Sequence, residues 1–284
     1  MKRNCQIWGI LNVTPDSFSD GGQFLTLQAA RSHAVRMISE GAAVIDIGGQ
    51  SSRPAGGAYG AGASSISAAE ETQRVIPVVK AVRELDVTIS VDTTKAEVAD
   101  AALRAGARII NDVSCAADPE LLEAVARANA EYVLMHTRAH GEITAESSRY
   151  SDVVNDVLRE LGQGVERCVN AGISPQSIWL DPGLGFAKTA EQSVRLAANL
   201  AAFVRTGHRV LVGSSRKAFI AAFASQADGE PPMPAQRMGG TAVTVMEAVV
   251  AGVNAVRVHD VAVMWQVIKM AQALENARGR IAPC

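Results

Sequence analysis

A short plan recurs along the chain. EGAAVID at 40–46, AGARIIND at 105–112 and AGVNAVRVHD at 251–260 each carry a glycine, then a short apolar run, then a polar stop. The glycine suits the left-handed position that closes a helix. The run has the continuously apolar, β-branched look of a parallel strand buried on both faces. NAGISPQSIWLD at 170–181 is a longer version. Eight such runs are found: Gln6–Leu11, Val44–Ile47, Thr88–Val91, Arg108–Ile110, Tyr132–Met135, Ser177–Leu180, Arg209–Val212 and Ala255–Val258. Segments of helical periodicity lie between them, among them LQAARSHAVRMISEG, SAAEETQRVIPVVKAVREL, DPELLEAVARAN and RMGGTAVTVMEAVVAG. Strand and helix alternating eight times predict the α/β class and a (β/α)8, or TIM, barrel. The alternative is an open doubly wound sheet, against which stands the absence of a G-x-G-x-x-G after the first run. No linker or low-complexity stretch divides residues 1–284, so a single domain is expected.

Composition narrows the function. Aromatic residues are 4% of the chain and the net charge is −2 with no basic stripe, which disfavours nucleic acid and anionic membrane surfaces as partners. No apolar run reaches the roughly 18 residues of a membrane span. Cys5, Cys115, Cys168 and Cys284 are scattered and form no C-x-x-C pair. They read as free thiols in a reducing cytosol, and a basic start without an apolar core is not expected to act as a signal peptide, so a cytoplasmic location is expected.

The residues that close the eight runs are Asn12, Asp46, Asp92, Asn111, His136, Asp181, Ser214 or Ser215, and His259, all polar. Active sites of such barrels lie at the C-terminal strand ends, so these residues predict a hydrogen-bonding floor for a polar ligand. Asp92, Asn111 and Asp181 can accept from and donate to the edge of an amide-rich heterocycle. A guanidine-like edge fits a carboxylate because two parallel N–H groups match two oxygens. Each Asp taken alone is equally a helix N-cap. VGSSRKAFI (212–220) offers small residues, a helix start near Arg216, and Lys217 as a mobile cation, with Arg216 as a second. RVHD (257–260) puts Arg257 and His259 on one face of a strand, as an anion site would. The alternative for both is an ordinary surface or salt-bridged cation.

Three loops stand out. GILNVTPDSFSDGG (9–22) is longer and more polar than a connector needs. GGQSSRPAGG (48–57), with Arg53 and Pro54, reads as mobile and anion-friendly. DPGLGFAK (181–188) sets Phe186 beside two glycines, where it would stack on a ring or simply anchor the loop. No His, Cys or Asp cluster has zinc spacing, but a Mg²⁺ held mainly by a substrate phosphate leaves almost no trace in a sequence. Asn12 is a candidate single ligand for it.

Taken together and in order, GILNVTPDSFSDGG, DIGGQSSRP, SVDTTKAEV, IINDV, LMH, LDPGLGFAK, VGSSRK and RVHDV resemble the dihydropteroate synthases over nearly the whole chain. The resemblance implies a transferase of folate biosynthesis. Such an enzyme joins the pterinylmethyl group of a hydroxymethyl-dihydropterin diphosphate to 4-aminobenzoate and releases pyrophosphate, with Mg²⁺ as cofactor. It implies pterin contacts from Asp92, Asn111, Met135, Asp181 and Lys217, and diphosphate contacts from Asn12, Ser52, Arg257 and His259. Asn12 would be the metal ligand. Arg53, Pro54, Phe186 and Ser215 would shape the 4-aminobenzoate site, where sulfonamides mimic the substrate in this family. Asp92, Lys217, Arg257 and His259 would carry the catalysis, along an SN1-like path. The loops after strands 1 and 2 would be mobile covers, and the partner a second copy through the last helices, where VAVMWQVIKMAQAL (261–274) offers an apolar face.

The chain departs from the family pattern at Gln50 and Ser52, where many members carry Glu and Thr, and in TRAHGEIT after Met135-His136. A pterin-binding methyltransferase on the same barrel, or a catalytically silent pterin-binding paralogue, would be expected to lack the diphosphate residues that this chain retains.

Overall fold

The eight apolar runs are strands of one closed, all-parallel barrel in sequence order: β1 (Gln6–Asn12), β2 (Val44–Gly48), β3 (Thr88–Asp92), β4 (Ile109–Asp112), β5 (Glu131–Met135), β6 (Ile178–Asp181), β7 (Arg209–Val212) and β8 (Ala255–Val258). The structure is a computed structural model that describes residues 5–13, 23–50, 66–139, 144–225 and 229–279. The loops expected to be mobile at 14–22 and 51–65, with Ser52, Arg53 and Pro54, lie outside the described residues, as does Cys284.

The outer layer holds α1 (Gln23–Ser39), α2 (Ala68–Arg83), α3 (Ala96–Ala105), α4 (Pro119–Arg127), α5 (Val153–Asn170), α6 (Ala190–Ala197), α7 (Leu200–Val204), α8 (Ala218–Ala221), α9 (Met238–Ala251) and α10 (Val261–Arg278). Local chemistry sets their ends. Asp118 caps α4 by accepting from the Glu120 N–H, with Pro119 in the first helical position. Thr189 and Gln192 form a reciprocal capping box at the start of α6. Gly252, left-handed at φ 84°, closes α9, and its N–H bonds the Ala248 and Val249 carbonyls before the chain enters β8.

Side chains alternate across each strand, so the barrel has two cores. Ile7, Leu11, Ile45, Ile47, Ile89, Val91 and their counterparts point outward and pack under the helices. Trp8, Val44, Ile109, Val133, Trp179, Leu211 and Ala255 point inward and fill the lower barrel. Trp8 and Trp179 meet edge to face there, with centroids 5.1 Å apart and planes at 67°. Below them Trp179 Nε1 donates to Glu131 (2.6 Å), Glu131 pairs with Arg209 (3.0 Å), and the Arg209 guanidinium lies over the Trp179 ring. The lower barrel is therefore a plug, which leaves the C-terminal mouth as the end of the barrel for chemistry. Cys5, Cys115 and Cys168 are buried free thiols. No helix among the described residues is long and apolar enough to cross a membrane.

Candidate active site

Strand register places the mouth residues in a row. Asn12 pairs in register with Gly48, Gly48 with Asp92, and Asp92 with Asn111, while Met135 pairs with Asp181. Period-2 alternation then turns these side chains to the interior, one layer above the apolar plug. Asp92, Asn111, Met135 and Asp181 are all buried. Arg257 enters from β8 and donates through Nε to Asp46 (2.5 Å) and through Nη2 to Asp92 (2.8 Å). Asn111 Nδ2 donates to the same Asp46 oxygen (3.3 Å). Asp46, expected to close β2, lies two residues before its end, and it ties β2, β4 and β8 together. Its sequence signal is its place two residues before Gly48, on the interior face.

On the other side, the Gly183 N–H donates to Asp181 (2.7 Å), and Lys217 Nζ donates to the Leu184 carbonyl (2.7 Å) and lies 4.6 Å from the centre of the Phe186 ring. Gly213 sits between the two halves. A Cβ there would come within 3.8 Å of both Asp181 Oδ2 and Lys217 Nζ and 3.9 Å of Arg257 Cβ, so its bare backbone keeps the centre of the floor open.

Ser215 and His259 form the rim. The Ser215 hydroxyl accepts from the His259 backbone N–H (3.2 Å) and lies 2.9 Å from His259 Nδ1. The hydroxyl and Nδ1 share a hydrogen bond whose direction is set by the imidazole tautomer.

The electrostatics follow from crowding charge into a dry barrel. Burial pushes the Asp92 carboxyl up to about 7, against the pull of Arg257 and with further push from Asp46. Burial also raises Asp181, opposed by Lys217. Lys217 is pushed down to about 8 by burial, with Asp181 holding it up. Burial works against the charge on Arg257 too, but Asp46 and Asp92 outweigh it and its pKa rises. Groups poised this way suit a site that exchanges charge with a ligand.

Two further expectations are corrected. His136 closes β5 but belongs to the outer face: it meets Glu160 of α5 (2.9 Å) and Lys188 (3.0 Å), and its neighbour Met135 points into the mouth instead. Arg216 is not a mobile cation. Two of its nitrogens bond Asp260 at 3.0 and 2.5 Å, and the helix that follows, α8, begins only at Ala218 and is four residues long.

The described base of the loop after β2 is anchored from below. Arg74 donates to the Gly49 carbonyl (3.1 Å), and Lys95 donates to Gln50 Oε1 (2.6 Å) while pairing with buried Glu71. Gln50 thus keeps a partner. Asn12 lies at the mouth, its Oδ1 3.6 Å from where a Gly48 Cβ would stand. The missing side chain leaves space against a hard oxygen donor, which fits an ion carried mainly by a substrate diphosphate. No cluster of three or more His, Cys, Asp or Glu among the described residues is arranged to hold a metal. A cavity of about 580 Å³ opens elsewhere, outside the barrel between the loops after β4 and β5 and α5, lined by Cys115, Arg138, Arg159 and Arg167 among others. It does not reach the row of inward carboxylates, and the chemistry of the mouth marks the candidate site.

Comparison with known proteins agrees with this geometry. A model of the pterin binding enzyme family matches residues 8–259. The dihydropteroate synthase of Synechocystis is 44% identical over 270 residues, covering 94% of this chain and 89% of the relative. That of Mycobacterium leprae is 43% identical over 278 residues, covering 97% and 95%. Among solved structures, the Clostridium difficile synthase in the presence of pteroic acid has a TM-score of 0.86 at 36% identity, covering 96% of this chain and 97% of that one. The Xanthomonas albilineans synthase with 4-aminobenzoic acid has a TM-score of 0.85 at 38%, covering 96% and 93%. The Yersinia pestis synthase in complex with a sulfonamide drug has a TM-score of 0.85 at 39%, covering 96% and 95%. The chain belongs to the pterin binding enzyme family and, within it, to the dihydropteroate synthases of folate biosynthesis.

Proposed function

We propose that the mouth divides into three subsites that together transfer a pterinylmethyl group from its diphosphate to 4-aminobenzoate. The single observation that carries this reading is the inward row of Asn12, Asp92 and Asn111, with Asp181 on β6, facing two half-buried cations, Arg257 and Lys217. Asp92, Asn111 and Asp181 read the amide-rich pterin edge, Lys217 flanks the ring and Met135 lines the pocket. Asn12, Arg257 and His259, with Ser52, receive the diphosphate. Phe186 and Ser215, with Arg53 and Pro54, shape the 4-aminobenzoate side.

Departure of pyrophosphate leaves a carbocation beside an electron-rich ring, so a dissociative, SN1-like path is the chemistry this site suits. Arg257 and the His259 imidazole stabilise the departing charge. The ionised Asp92, held by Arg257, faces the cation electrostatically. The arylamine attacks without a dedicated base. Mg²⁺ would be held by Asn12 and the substrate's own oxygens, and supplies neutralisation of the diphosphate charge.

A homodimer through α9 and α10 is part of the same proposal. Val243, Met246 and Val250 on one helix and Val263, Met270 and Leu274 on the other are exposed apolar residues, more than a solvent-facing helix pair needs. A cytoplasmic location accords with three buried free thiols. The deciding experiment is pyrophosphate release from the dihydropterin diphosphate with Mg²⁺, with and without 4-aminobenzoate. Release coupled to dihydropteroate formation, and lost in Asp181→Ala or Arg257→Ala, is expected. Tight pterin binding with no release would overturn the assignment and leave a silent pterin-binding protein.

A further inference from the structure

We propose that Lys188 is a positioning residue for the second substrate: its buried amino group pins the loop after β6 so that Phe186 faces the 4-aminobenzoate side of the mouth. This rests on the subsite assignment given above.

The loop from 183 to 187 is one that the chain would not hold unaided. Gly183, Gly185 and Ala187 all have positive φ, at 67°, 81° and 49°. A Cβ on Gly183 would lie 2.0 Å from the His136 carbonyl oxygen, so the loop is laid directly against the end of β5. Lys188 fastens it there. Its Nζ donates to the Phe186 carbonyl (2.8 Å) and the His136 carbonyl (3.3 Å), and meets His136 Nδ1 at 3.0 Å. Three acceptors thus surround the amino group, one for each proton that its charged form carries. None of the three is a carboxylate. A buried ammonium without a touching counter-charge is costly, and it persists only where every proton is bonded.

The acceptors are themselves fixed. His136 Nδ1 must offer its lone pair to Lys188, so the ring proton lies on Nε2 and goes to Glu160 Oε2 at 2.9 Å. Burial, then Lys188, keeps the imidazole neutral by lowering its pKa to about 4. Arg138 closes the chain by donating to Glu160 through Nε at 2.9 Å and lying 3.9 Å over the Tyr150 ring. The unusual segment after Met135 thus has an anchor, and that anchor runs through His136 and Lys188 to the backbone of Phe186. Lys217 holds the neighbouring Leu184 carbonyl from the mouth. Two lysines therefore grip the loop, but only Lys217 faces the ligand.

The test uses the full chain and begins with the unmutated enzyme. Absence of 4-aminobenzoate-dependent pyrophosphate release there would sink the functional reading, and this proposal with it. With release established, Lys188→Met is expected to raise KM for 4-aminobenzoate by about tenfold or more, the scale of a lost charge-assisted hydrogen bond. Binding of 6-hydroxymethyl-7,8-dihydropterin, followed by calorimetry, should change far less. A double variant with Phe186→Leu should be no worse in KM than Phe186→Leu alone, because Lys188 acts through that residue. An unchanged KM, an equal loss of dihydropterin affinity, or additive effects of the two substitutions would overturn the proposal. Should Lys188→Met not fold, Lys188→Gln is measured in its place, with the same expected and overturning results.

Discussion

At the N-terminal end of the barrel Glu131 meets Arg209 one to one, and the guanidinium rests on the Trp179 ring at a half-exposed surface. At the C-terminal end Asp46, Asp92 and Asp181 crowd around Arg257 and Lys217, with most of that charge out of water. Both ends are polar closures of the same tube, but only one is balanced within itself. The lower pair satisfies its charges and leaves little for a ligand to do. The upper group holds carboxyls driven up and a lysine driven down, a state that an added pterin edge and diphosphate can relieve. Charge count alone would not separate the two ends; burial and unequal pairing do.

Removing one cation from each end puts the largest strain on this contrast. Arg257→Ala strands Asp46 and Asp92 in the barrel, at an expected cost of about 3–5 kcal/mol in denaturant melts. Pyrophosphate release should fall roughly a hundred- to thousandfold. An Arg257→Ala enzyme as stable and active as wild type would mean that the upper cluster is balanced by other means.

The next effect is in stability against pH. Burial drives the Lys188 ammonium down to about 7, against 10.5 for an ordinary lysine. Between those values the unfolded chain binds a proton that the folded chain does not, so raising the pH favours folding. Wild type should gain on Lys188→Met over pH 7 to 9, by roughly 1.4 kcal/mol per pH unit at most. Parallel melting temperatures across that range would show that Lys188 keeps its ordinary pKa. Smaller again is the pH dependence of binding. Asp92 must be ionised to accept from the pterin edge, so dihydropterin affinity should weaken as pH falls through about 7, by up to about tenfold per unit. A flat titration between pH 8 and 6 would return Asp92 to the ordinary carboxylate range. The smallest effect is expected at the lower end: Arg209→Ala should cost about 1 kcal/mol, the scale of a surface pair with a cation–π contact, and leave pyrophosphate release unchanged.

Much of this fold was legible because each buried strand announces itself locally. A helix-ending glycine and a short β-branched run need no knowledge of the rest of the chain, and the observed strands match the runs to within a residue or two. Phase was harder. His136 and Met135 are adjacent, and counting the polar residue that ends a run picked the wrong one as a floor residue. Which of the two faces inward depends on how β5 is staggered against β4 and β6, a property of the closed barrel. Asp46 was visible as a polar strand-end residue, but its bonds to Arg257 and Asn111 span 211 and 65 residues of sequence and have no local signature. Lys188 was hidden for the same reason. A lysine in a glycine-rich loop looks like a surface charge until the fold encloses it.

The register row has a consequence for how such a chain can change. Asn12, Gly48, Asp92 and Asn111 share one level because each strand is in step with the next. A single-residue insertion or deletion inside any of these strands would turn that strand's contribution toward the helices and break the row at once. The loops beyond the row bear no such arithmetic. Sequence drift in this protein is therefore channelled: the strands are read in a fixed frame, and changes of length fall to the segments between them.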